Sequence, residues 1–159
     1  MALLGVLCAA CGSAREDPIR LRATITRPPK DTVRLALPAT ATRCEDRRSL
    51  LLEALSAEGN GFVVRLRYGD SLAAGAYPVN AMDDTGSTRN AMAAVRYIIR
   101  QVPHVFPLDT GVVDVRVTDA TVTAHVQGRG VENAALASAT ADFDAVPIGA
   151  QSTPCQHQP

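Results

Sequence analysis

Between Thr110 and Gly130 the chain reads TGVVDVRVTDATVTAHVQGRG. Val113, Val115 and Val117 alternate with Asp114, Arg116 and Thr118. After Asp119-Ala120 the alternation resumes, with Val122, Ala124 and Val126 set against Thr121, Thr123, His125 and Gln127. A period of two gives one apolar and one polar face, as in a half-buried antiparallel hairpin. β-Branched side chains at most of these positions suit a pleated surface. The six apolar residues are predicted to point into a core, and a slip of one residue would turn them all to water.

The same period recurs along the chain. Ile19, Leu21, Ala23 and Ile25 alternate with Arg20, Arg22, Thr24 and Thr26. Pro28-Pro29-Lys30-Asp31 interrupts, then Val33, Leu35 and Leu37 resume up to Pro38, which predicts strand, turn and strand. Phe62, Val64, Leu66 and Tyr68 make a further strand. Its upstream neighbour is ambiguous: residues 47–57 fit a helix through Leu51, Ala54 and Leu55, or a strand through Leu50, Leu52 and Ala54. Asn60-Gly61 is a hairpin signal, and the strand from Phe62 needs a partner, so the hairpin is preferred. Residues 91–100 also fit either period, and their neighbours favour a strand. Short strands are predicted near Ala76 to Val79 and from Ala139 to Pro147. Gly128 to Asn133 reads as a turn, Pro103-His104-Val105 as a loop, and the residues from Ile148 to Cys155 as a small polar tail. The predicted class is all-β, an antiparallel β-sandwich or flattened barrel of about seven to nine strands with at most one short helix.

A chain of 159 residues suggests one domain with room for a real core. No apolar run approaches the roughly 20 residues of a membrane-spanning helix. Net formal charge is zero, so no overall field favours nucleic acid or a membrane. Lys30 is the only lysine, a bias that reads as codon usage in a GC-rich genome. Charge is uneven, however. Arg15, Arg20, Arg22, Arg27, Lys30, Arg34 and Arg43 dominate the early part, whereas Asp109, Asp114, Asp119, Glu132, Asp142 and Asp144 dominate the later part. Either the outward Arg20, Arg22 and Arg34 form a patch for an anionic partner, or the two parts lie side by side in one sheet and neutralise each other.

The N-terminus is small and apolar and runs into Leu7-Cys8-Ala9-Ala10-Cys11-Gly12-Ser13. This resembles the lipobox of bacterial lipoproteins, in which small residues precede the cysteine that becomes the lipidated N-terminus. The resemblance implies a signal peptide over 1–10, lipidation at Cys11, a tether over 11–18 and one β-rich domain over 19–159. It also implies a cell-envelope address, with the membrane reached through the lipid and Gly12 favouring the outer membrane of a two-membrane host. A second resemblance rests on Gly75-Ala76-Tyr77-Pro78, Thr110-Gly111-Val112-Val113, Val126-Gln127-Gly128 and Phe143-Asp144-Ala145-Val146-Pro147. Taken in that order, these segments are similar to small β-rich bacterial lipoproteins of uncharacterised function, and they mark fold, not a site.

Cysteine arithmetic follows from this reading. Cys8 would leave with the signal and Cys11 would carry lipid, so Cys44 and Cys155 remain, and in an oxidising compartment a disulfide is the default. Its loop of about 110 residues would be worth roughly 4–5 kcal/mol in the chain-entropy model. A metal site is the competing reading, but apart from His157 beside Cys155 neither cysteine has a ligand at the right spacing.

Motifs for chemistry are sparse. His125 falls on the polar face of the central hairpin, His104 in a loop and His157 in the tail. No Gly-x-Ser-x-Gly elbow is present. Gly128-x-Gly130 lacks the third glycine and following helix of a dinucleotide site. Asp83-Asp84-Thr85-Gly86 lacks the alternating acids and distal glutamate of an EF-hand, and reads as a solvated turn. Asp114 with Asp142 or Asp144 would make an acid pair across a sheet, though without the aromatic-lined cleft of a glycosidase. Few aromatics argue against nucleic acid. The sequence therefore points to no catalytic residues, metal or cofactor. It suggests a non-catalytic binding or structural domain that meets an envelope protein or an anionic envelope component. The alternative is a small envelope hydrolase with a His/Asp site, marked by His104 or His125 in a pocket with Asp109 or Asp114.

Overall fold

The computed structural model describes residues 17–29, 31–46, 48–80 and 89–155. In chain order the strands are β1 (Leu21–Arg27), β2 (Asp31–Leu37), β3 (Thr40–Cys44), β4 (Ser49–Leu55), β5 (Gly61–Arg67) and β6 (Gly75–Val79). They continue as β7 (Asn90–Ile99), β8 (Val102–Leu108), β9 (Thr110–Val117), β10 (Thr121–Glu132) and β11 (Ala135–Thr153). Hydrogen bonding runs in the order β10-β9-β6-β7-β5-β4-β3-β11, and β11 returns to β10, so the sheet wraps into a ring. β1 and β2 extend from β11, and β8 extends from β7. The all-β class and the flattened, sandwich-like architecture are those read from the period of two. No helix occurs among the described residues.

The central hairpin has the expected register, with Val117, Val115 and Val113 opposite Val122, Ala124 and Val126. Five of these six side chains are buried and Val117 packs half-buried against them. Across the interior, Phe62 of β5 meets Phe143 of β11 edge-on, with ring centres 6.2 Å apart.

Closure depends on β11. Residues 135–147 pair with β10, and Ser138 to Phe143 pair with β1 on the other edge. From Ile148 the strand runs parallel to β3. The change of partner occurs near a bulge opposite Val122–Ala124, where Ala145 has a positive φ of 42°. A bulge frees backbone groups and bends its strand. Here Thr123 Oγ1 accepts the Ala145 N–H at 3.2 Å, and the Arg20 guanidinium donates to the Asp144 and Ala145 carbonyls at 3.3 and 2.6 Å. A second crossing lies between β8, which pairs with β7, and β9, which pairs with β10. Here the backbones approach closely. A Cβ on Gly111 would lie 2.1 Å from the Gln127 carbonyl oxygen, and one on Gly130 would lie 1.8 Å from that of Pro107. Only glycine fits such positions without a backbone shift.

Residues 47–57 and 91–100 resolve as strands β4 and β7 in their described parts, joined in a hairpin and its neighbour. The β4–β5 loop closes over Ser56 to Asn60 with Gly59 at a φ of 86°, rather than as a two-residue Asn-Gly turn. The described residues form eleven strands, because two segments carried little alternation. β3 is short, and β8 holds Pro103 and Pro107, which an edge strand tolerates because it bonds through one side. His104 consequently lies on a strand and not in a loop. β10 also continues past Gly128 to Glu132, turning at Asn133-Ala134, and the predicted polar tail is the end of β11.

Cys44 and Cys155 form a disulfide, with Cα atoms 5.3 Å apart and a sequence separation of 111. It fastens the end of β3 to the residues just beyond β11, next to the pairing of Thr153 with Cys44.

Candidate functional site

The inward face of β10 ends on a carboxylate. Ala124, Val126 and Gly130 are buried, and the next inward position, Glu132, is 5 % exposed. On the facing strands Tyr97 and His104 are direct cross-strand partners whose rings stack with centres 5.2 Å apart. The Tyr97 hydroxyl donates to Glu132 Oε2 at 2.5 Å, and His104 Nδ1 lies 2.5 Å from Glu132 Oε1. Arg27, at the end of β1, brings its Nε to 3.4 Å from Glu132 Oε2 and its guanidinium to 5.7 Å from the centre of the Tyr97 ring. Four strands thus converge on one buried carboxylate. Burial raises the Tyr97 phenol above its ordinary value, and the hydrogen bond to Glu132 and the charge of Glu132 push it the same way, partly opposed by Arg27. Both carboxylate oxygens face donors from this set, so neither is left as an acceptor aimed at a substrate.

A second polar set lies on the outer face. The register places Ala36, Arg22, Asp142, His125 and Asp114 in one row across β2, β1, β11, β10 and β9. His125 Nδ1 lies 2.6 Å from Asp142 Oδ1, and the Gln127 amide nitrogen lies 3.0 Å from His125 Nε2. With the amide donating to Nε2, Nδ1 carries the proton and donates to Asp142. The imidazole is 43 % exposed on an open sheet face. A His/Asp pair is present, then, but its free nitrogen faces an amide and not a nucleophile.

The neighbouring row holds Arg34, Thr24, Thr140 and Gln127. Between the two rows lies a groove of about 320 Å³ lined by Arg22, Thr24, Arg34, Thr140 and Asp142.

The sequence-predicted residues are distributed as follows. Arg20, Arg22 and Arg34 share the outer face, but Arg20 is committed to the β11 bulge. The basic β1–β2 segment and the acidic β11 do lie side by side in one sheet. Asp114 and Asp142 flank His125 on opposite sides, so they are two strands apart and not an acid pair. His104 meets Glu132 instead of Asp109 or Asp114. Cys11, the Asp83–Asp84–Thr85–Gly86 segment and His157 lie outside the described residues. No group of three potential metal-binding side chains occurs among the described residues. Sequence reasoning missed Glu132 as a centre. The available signal was phase: counted on by twos from Val126, position 132 falls on the core face.

No family model matches the chain, and no curated protein or solved structure matches it either.

Proposed function

We propose that this chain is a lipid-anchored envelope protein whose β-domain binds or organises another envelope component without catalysing a reaction. The observation that carries the reading is the Cys44–Cys155 disulfide. A cystine tying distant parts of a small domain belongs to an oxidising compartment, which is where a lipobox ending at Cys11 would deliver it. The arrangement of titratable groups supports the non-catalytic part. Glu132 is held among Tyr97, His104 and Arg27, and His125 stands on an open face with Asp142 and Gln127, whereas catalysis calls for such groups to converge in a cleft. Contact with a partner then falls to the exposed surface, where Arg22 and Arg34 face outward beside Arg20, whose guanidinium is held at the β11 bulge. The partner is an envelope protein or an anionic envelope component.

Two experiments test this. Cys11→Ser should release the protein from the membrane fraction and end incorporation of labelled palmitate. Retention of the variant in membranes, with no palmitate in the wild type, would overturn the anchor. Reversal of Arg20, Arg22 and Arg34 to Glu should abolish capture of partners from envelope extracts, whereas His125→Ala and His104→Ala should leave it intact. Loss of capture in His125→Ala with survival in the triple reversal would favour the hydrolase reading.

A further inference from the structure

We propose that the groove between Arg22 and Arg34 is a binding site for a phosphate-type dianion, a phosphomonoester group carried by a larger molecule. The proposal narrows the anion-facing surface described above to one site and one chemistry, and it rests on that reading.

Arg22 of β1 lies opposite Ala36, and Thr24 lies opposite Arg34 of β2. The two arginines are therefore diagonal cross-strand neighbours, a relation of about 7–8 Å within reach of long side chains. Both are exposed. Among the described residues neither guanidinium has a hydrogen-bond or ion-pair partner. The nearest carboxylate across the sheet, Asp142, is drawn to His125 on its far side. Arg22 has Asp142 directly opposite, whereas Arg34 lies opposite Thr24, so the repulsion between the two like charges is only partly offset. Arg20, on the same face, shows the other outcome, since its guanidinium is occupied by backbone carbonyls.

The lining supplies the rest of the chemistry. Thr24 and Thr140 are direct partners on β1 and β11, so two hydroxyls stand side by side next to the arginines. None of the lining residues is aromatic, which removes the stacking surface that neutral sugars use. Asp142 closes the β11 end with a negative charge, so an anion is placed toward Thr24 and Arg34. Two guanidinium forks and two hydroxyls offer donors in several directions, and with Asp142 in the lining the two positive charges leave a net charge of plus one. A tetrahedral dianion uses all of them, whereas a planar carboxylate is already matched by one guanidinium. The groove is open, which leaves room for whatever carries the phosphate.

The test is titration calorimetry of the full chain at low ionic strength, with inorganic phosphate as the first probe. Binding is expected, and Arg22→Gln or Arg34→Gln should each weaken it by about tenfold or more. Arg116→Gln, on the same face but outside the groove, should leave it unchanged. Phosphate should raise the melting temperature of the wild type and not that of Arg34→Gln, whose phosphate-free melting temperature should be no lower than wild type. Glucose 1-phosphate and vesicles containing phosphatidic acid present the same group on a soluble sugar and on a lipid. Binding of either that is lost in Arg34→Gln supports the site and identifies its source. Equal loss in Arg116→Gln, or equal competition by chloride at matched ionic strength, would overturn it in favour of diffuse charge. If phosphate fails to bind while the triple arginine reversal still abolishes envelope capture, the groove assignment falls and the wider surface reading stands. If neither effect appears, both fall.

Discussion

Replacing Glu132 by alanine should be among the most damaging single changes in this domain, and the cause is what it leaves behind. The wild-type carboxylate accepts from the Tyr97 hydroxyl and from His104 Nδ1, and faces Arg27 at 3.4 Å. Its side chain is 5 % exposed, and that of His104 is 12 % exposed, so water cannot readily replace it. Each buried donor left without an acceptor costs about 1–3 kcal/mol. The positive charge of Arg27 loses its counter-charge as well, and removing one partner of a buried pair typically costs about 3–5 kcal/mol. That range is a large part of the roughly 5–15 kcal/mol that holds a domain folded. For a chain of this size it corresponds to a fall in melting temperature of roughly 6–20 °C.

The assay is urea denaturation with the cystine intact, following tyrosine fluorescence and far-ultraviolet dichroism together. Glu132→Gln is the informative companion. It keeps one carbonyl acceptor but turns an amide donor toward groups that themselves donate, so its loss should fall between wild type and Glu132→Ala. A quadruple change, Glu132→Leu with Tyr97→Phe, His104→Leu and Arg27→Leu, removes acceptor, donors and the facing charge together and should recover much of the stability, because an apolar replacement of a buried polar set is often neutral or better. An Glu132→Ala variant within about 0.5 kcal/mol of wild type, the range of ordinary surface changes, would refute the reasoning. So would a quadruple variant less stable than Glu132→Ala.

Other outcomes follow from the same structure. Cys44→Ala with Cys155→Ala should lower the melting temperature while leaving the β signal unchanged, with a loss of at most roughly 4–5 kcal/mol for a loop of this length. Val115→Asp places a charge at a buried position and should unfold the domain, whereas exposed Arg116→Asp, one residue on, should be tolerated; circular dichroism of the two separates inward from outward phase. The raised Tyr97 phenol favours the folded state while neutral, so its contribution is complete below pH 10 and declines as pH rises above that value. Tyr97→Phe should therefore flatten the alkaline limb of the stability profile above pH 10. At the acid end, burial raises Asp46, but the Arg48 N–H, the Ser49 hydroxyl and Arg65 outweigh it and hold the carboxyl below its ordinary value. That contribution is present above pH 3.8 and is lost as pH falls through the depressed value, so Asp46→Asn should blunt the acid limb measured by thermal melts.

What was legible in the chain is what a period of two encodes. Alternation separates inward from outward residues, and so the core valines of β9 and β10 and the strands flanking them were readable without knowing their neighbours. Turn chemistry was a weaker guide. The β7–β8 connection turns through Arg100-Gln101 and the β10–β11 connection through Asn133-Ala134, all at positive φ. Three of these four residues are not the Gly, Asn or Asp that such turns favour, so the hairpins carried no local signal. β8 was hidden for a second reason, since its prolines break the appearance of a strand without breaking an edge strand's bonds.

The polar clusters were illegible for a different reason. Tyr97 and Glu132 are 35 residues apart, His104 and Glu132 are 28 apart, and Arg27 comes from the first strand of the chain, brought beside β10 by the β11 strand between them. They meet only because the ring closes through β11, and strand order across such a closure is not written in any one strand. His125 and Asp142 lie 17 residues apart, and their pairing is set by the turn at Asn133-Ala134, from which the register runs unbroken to Ala124 opposite Phe143 before the bulge. Yet Glu132 did leave a trace. It stands in phase with Val122, Ala124 and Val126, separated from them by glycines that permit the close approach of β8. A charged residue on the core phase at the end of a strand must find partners from other strands or expose a buried charge. That position therefore marks where a closed sheet brings its ends together, even when the sequence does not say which strands will arrive.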